Sequence, residues 1–130
     1  MKKALLFLSF TLLIASAFSC KKEEGTGGQA SICGKVYSYN INKDFQKTDS
    51  GYFADARVFI AYGDKPTVAS EVRSSYDGSF CFDWLQKGNY TVWVVGECDS
   101  CAAGQIIDSV HINIREKRQQ VFTRDLITWY

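Results

Sequence analysis

The sequence predicts an all-β fold, a seven-stranded two-sheet β-sandwich that occupies residues 31–130 as one domain. Three observations predict it. From Ser31 onward apolar and polar residues alternate with a period of two, and helical spacing never holds for long. Turn chemistry separates the alternating runs at Gly63-Asp64-Lys65-Pro66, Tyr76-Asp77-Gly78 and Gln86-Lys87-Gly88-Asn89, where glycine, proline, asparagine and aspartate favour or pre-set turn backbone angles. Pro66, the one proline, falls inside such a turn, where it removes no ladder hydrogen bond.

Ahead of the domain, residues 1–19 carry Lys2 and Lys3, no acid, and an apolar stretch from 4 to 18 broken only by Ser9, Thr11 and Ser16. A helix needs roughly 18–20 apolar residues to span a bilayer, so this shorter stretch is expected to be a secretory signal helix. It ends in Ala17-Phe18-Ser19-Cys20, with small side chains beside the cut. The pattern resembles the lipobox of bacterial lipoproteins, which implies that Cys20 is acylated, carries palmitate-type chains and becomes the mature N-terminus. With several chains at about 0.8 kcal/mol per buried methylene, such an anchor holds durably. Residues 20–30 offer no apolar side chain larger than the methyl of Ala30 and are expected to form a flexible tether. Within it, Lys22-Glu23-Glu24 resembles the export signal of surface-exposed lipoproteins. The implied location is the bacterial cell envelope, lipid-anchored at the outer membrane on its periplasmic or its cell-surface face.

Strands are expected at 32–39, 56–62, 67–74, 79–85, 90–95, 106–114 and 120–128. Because successive side chains point to opposite faces, one parity supplies the core: Ile32, Gly34 and Val36, then Ala56, Val58 and Ile60, then Phe80 and Phe82, then Tyr90, Val92 and Val94. The other parity places Tyr37, Phe59, Trp93 and Val95 outside, more apolar surface than a solvated face requires. Tyr37, Phe59 and Trp93 are therefore candidates for a partner-binding face, unless the 40–53 loop folds over them.

Read together, Ile32-x-Gly34-x-Val36, Ala56-x-Val58 and Asp77-Gly78-Ser79-Phe80-x-Phe82-x-x-Leu85-x-x-Gly88-x-Tyr90-x-Val92-x-Val94 resemble the carboxypeptidase regulatory-like domain, a prealbumin-like, Ig-like Greek-key sandwich. The resemblance spans nearly all of residues 31–125. It implies a non-enzymatic accessory module that binds or supports, with no catalytic residue, no cofactor and no metal, and it names no ligand. A long first loop and four cysteines beyond Cys20 depart from the pattern.

Those four cysteines enter an oxidising compartment, so disulfides are expected. Of the three possible pairings, Cys33 with Cys81 and Cys98 with Cys101 is preferred. The alternative function is a periplasmic thiol-disulfide protein working through Cys98 and Cys101, although that chemistry usually needs a helix N-terminus in a βαβ setting. Zinc binding would need two close ligand pairs, and Cys33 and Cys81 stand far apart in sequence. His111, the single histidine, is expected on the surface of a strand. With Lys2 and Lys3 set aside from the 15 basic residues, 13 remain against 14 acids, a net charge of −1. That balance lacks the cationic footprint of nucleic-acid binding. The expected partners are the membrane, through the lipid, and a protein or glycan.

Overall fold

The computed structural model describes residues 22–44, 46–99 and 101–130. The signal segment and Cys20 lie outside the described residues. Within them the chain is all-β, and its strands are β1 (Thr26–Ile41), β2 (Lys47–Tyr52), β3 (Arg57–Tyr62), β4 (Ser70–Arg73), β5 (Ser79–Leu85), β6 (Gly88–Glu97), β7 (Gln105–Ile114), β8 (Gln120–Phe122) and β9 (Leu126–Trp129). They form two sheets. One has the order β4-β3-β6-β7, and the other is built around β1, which pairs with β2, β5, β8 and β9.

The long strand β1 serves four partners because alternate residues turn their backbone groups to opposite edges. Val36 donates its amide to Gly78 and accepts from Phe53, which puts β5 and then β2 on one edge. Cys33 accepts from Thr123, and Tyr39 accepts from Tyr130, which puts β8 and then β9 on the other. Antiparallel partners thus flank one edge and parallel partners the other.

Between the sheets lie Ile32, Val36, Val58, Ile60, Phe80, Phe82, Tyr90, Val92, Val94, Ile112, Ile114 and Leu126. The alternation therefore identified the inward face correctly. Gly34 shares that parity without a side chain: a Cβ there would overlap Thr123 Oγ1 and come within 2.9 Å of Phe80 Cζ.

Nine strands among the described residues replace the expected seven, for two reasons. The 40–53 loop contributes β2, whose Thr48, Asp49 and Ser50 carry no hydrophobic alternation to announce a strand. The run at 120–128 divides, because three residues lie between Phe122 and Leu126 while two lie between their β1 partners, Cys33 and Val36. That extra residue breaks the ladder as a bulge does.

The order also begins earlier than expected. Thr26, not Ile32, opens β1, and Gly25 and Ala30 are buried. In the segment expected to be a tether, the glycines permit close backbone approach. Gly25 and Gly27 hold φ of 141° and 99°, and a Cβ at Gly28 would overlap the Leu85 carbonyl. Gln86 donates its amide to the Gly25 carbonyl at 2.8 Å and its side-chain amide to the Thr26 carbonyl at 2.9 Å. Hydrogen bonds, rather than buried side chains, offset the entropy of ordering here.

Candidate functional site

The outward face of the four-stranded sheet is set by register. Phe59 lies opposite Trp93, and Trp93 opposite Ser109. One row along, Ala61 faces Thr91 and Thr91 faces His111. Directly opposed side chains in a sheet stand within contact distance, and the rings of Phe59 and Trp93 stack at 5.7 Å with planes 24° apart. The guanidinium of Arg57 sits over Phe59 at 5.2 Å and is itself held by Glu71 at 2.6 Å. Phe59 is therefore a buttress, and Trp93 is the ring that borders open space.

That space is a groove of about 530 Å³. Trp93 and Ile107 line it on the apolar side, Thr91, Ser109 and His111 on the polar side, and the turn through Asp64 and Pro66 forms a wall. Ile107 is 63% exposed, which is high for an isoleucine on a strand. The Thr91 hydroxyl hydrogen-bonds His111 Nδ1 at 2.9 Å, fixing the imidazole plane. An apolar ring edged by a few placed polar groups is the composition of small-ligand sites. The strands that carry these groups hold them in a rigid frame.

Tyr37 does not join this face. It lies on β1, in the other sheet, beside Tyr52 and Tyr39, each at 5.3 Å edge to face, and its hydroxyl donates to Ser50 Oγ at 3.1 Å. The expected single face is thus two, one on each sheet. The tyrosine patch is already partnered from within: Lys47 lies 3.7 Å over Tyr39 and Lys35 lies 4.5 Å over Tyr52. The 40–53 loop does not fold over Trp93: as β2 it pairs beside β1 and brings Ser50 and Tyr52 against Tyr37.

No family model matches the chain. A search of curated proteins likewise finds no match. Among solved structures the chain is similar to a Pseudomonas aeruginosa protein provisionally described as carbohydrate binding, with 13% identity, a TM-score of 0.45, and coverage of 85% of this chain and 95% of that one.

Both disulfides join the expected partners. Cys33 and Cys81 are directly opposed across β1 and β5, with Cα atoms 4.1 Å apart. Cys98 and Cys101 close a tight turn between β6 and β7, in which the Cys101 amide donates to the Cys98 carbonyl at 3.1 Å and the Gly104 amide to the Cys101 carbonyl at 2.9 Å. Cys98 is buried. Among the described residues there is no helix N-terminus to stabilise a thiolate beside this pair.

Three site features escaped the sequence reading. His111 lies on the surface of a strand as expected, but its pairing with Thr91 follows only from the β6–β7 register. Ile107 shares the parity of Ser109 and His111, a signal present in the sequence once β7 is known to be a half-solvated strand. The Asp64–Pro66 wall depends on how the turn folds back, which no periodicity encodes.

Proposed function

We propose that this chain is a cell-envelope lipoprotein, anchored through acylated Cys20, whose sandwich is a non-enzymatic binding module of the carboxypeptidase regulatory-like type with its ligand site at the Trp93 groove. The carrying observation is the open groove beside Trp93, with Ile107 exposed next to it and Thr91, Ser109 and His111 along one margin. A sugar ring matches that surface chemically, since its C–H face stacks on an indole while its hydroxyls meet the polar margin. The lipobox-like Ala17-Phe18-Ser19-Cys20 supports the anchor.

Two experiments test the proposal. Palmitate labelling should mark the wild-type chain, and Cys20→Ala should abolish the label and release the protein from membranes. Retention of wild-type protein on an immobilised panel of neutral oligosaccharides should fall at least tenfold in Trp93→Ala. Equal retention of the two would move the ligand site elsewhere, and retention of neither would favour a protein partner.

A further inference from the structure

One end of the sandwich gathers the start of β1, the β5–β6 turn and the β7–β8 turn. Gly25 is bonded to Gln86, and Arg118 Nε donates to the Gln29 side-chain oxygen at 2.8 Å. Trp84 stands at this end with its side chain outside. The cause is a bulge: Ile32 pairs with Phe82 and Ala30 with Leu85, so Asp83 and Trp84 together oppose Ser31. In a regular strand the parity of Phe82 would send residue 84 inward. The additional residue turns Trp84 out, returns Leu85 to the core, and leaves Trp84 at φ 61° and 70% exposed. Left-handed backbone is disfavoured for a bulky residue, and an indole in water gains nothing from burial that would compensate.

We propose that Trp84 inserts into the headgroup region of the membrane that holds the lipid anchor, so that the sandwich lies with its β5–β6 end against the bilayer. The inference rests on the acylation of Cys20. Four residue steps separate Cys20 from Glu24, and Glu24 is packed at the position of Gly88, where an added Cβ would overlap its Cγ. At roughly 3.3–3.6 Å per residue those steps span at most about 14 Å. A tether running to residue 30 would have let the domain drift well beyond headgroup depth. The short link confines this end to the surface, where indole rings settle preferentially. Charge does not drive the contact: exposed Lys22, Lys65, Lys87, Lys117 and Arg118 are offset by neighbouring acids, including Glu23, Asp64, Asp83 and Glu116.

The test uses the full acylated chain carrying Trp93→Phe and Trp129→Phe, which leaves Trp84 as the sole indole. It is reconstituted in vesicles of phosphatidylethanolamine and phosphatidylglycerol, with or without lipid brominated near the headgroup. Bromination should quench Trp84 emission at least twofold, and the quenching should survive molar salt. In the otherwise wild-type chain, Trp84→Phe should remove the bromine-sensitive fraction of emission, which guards against misfolding of the double variant. Acylated protein whose emission is the same in both vesicle types overturns the proposal alone. Protein that takes up no palmitate at Cys20 overturns the anchor and this inference with it.

Discussion

The hydroxyl of Tyr90 accepts a hydrogen bond from the amide of Gly25 at 3.0 Å and donates to the carbonyl of Gln86 at 2.7 Å, joining three segments at one oxygen. The ring is buried in the core, and burial pushes the phenol above its ordinary pKa of 10.0. Together with the Gln86 bonds to Gly25 and Thr26, this oxygen holds the entry of the chain to the sandwich.

Tyr90→Phe should therefore cost about 1–2 kcal/mol, since it strands a buried amide and a carbonyl while preserving the ring. Thermal denaturation measures the loss. Hydrogen exchange at Gly25 and Thr26 should quicken about tenfold for each 1.4 kcal/mol of local opening. Unchanged exchange there would mean that Gln86 alone secures the segment.

At position 84 glycine should outperform alanine. Both remove the indole, but only glycine accepts the left-handed backbone freely, so Trp84→Gly should exceed Trp84→Ala in stability by about 1 kcal/mol. Urea denaturation midpoints of the two variants make the comparison. Equal midpoints would show that the bulge relaxes without cost.

Asp108 predicts the acid limb of the stability curve. Both oxygens receive the Arg124 guanidinium, at 2.6 and 2.7 Å, and Oδ2 also receives the Ile127 amide at 2.8 Å. The Arg124 hydrogen bonds, opposed by partial burial and aided by the Ile127 amide, hold the carboxyl below its ordinary 3.8. Its folded pKa is depressed, so its contribution is fully present above the unfolded value and is lost as pH falls through the folded one. Wild-type stability should drop below about pH 4, and Asp108→Asn should be less stable at neutral pH with a flatter acid limb. Parallel acid limbs in the two proteins would contradict this.

The two disulfides should differ in weight. In the chain-entropy model, the bridge across 48 residues from Cys33 to Cys81 contributes about 4 kcal/mol and the Cys98–Cys101 bridge about 2 kcal/mol. Urea titration of Cys33→Ala/Cys81→Ala should therefore show the larger loss. A larger loss from the Cys98→Ala/Cys101→Ala pair would point to a role for the β6–β7 turn beyond loop closure.

Much of the fold was legible because burial on a strand obeys parity. Val58, Ile60, Val92 and Val94 declare the inner face by alternation alone, and Cys33 and Cys81 share the outward parity that lets them meet. What escaped has local causes. Lys47–Tyr52 forms a strand through backbone pairing with β1 and not through an apolar face. Gly25–Gly28 is polar and small, which signals disorder in composition yet closeness in packing. The candidate site was half visible: Phe59 and Trp93 meet as expected, whereas Tyr37 was assigned to their face because parity specifies a side of a sheet without saying which sheet.

The arrangement of β1 carries a consequence for biogenesis. Its parallel partners β8 and β9 come from the last stretch of the described chain, so a polypeptide threaded N-terminus first exposes its central strand about ninety residues before the closing ones arrive. Contacts this distant in sequence slow folding, and a waiting strand with a bare edge is an invitation to wrong pairing. The nascent domain therefore stays open to mispairing along β1 until Trp129 has been synthesised and β9 can close that edge.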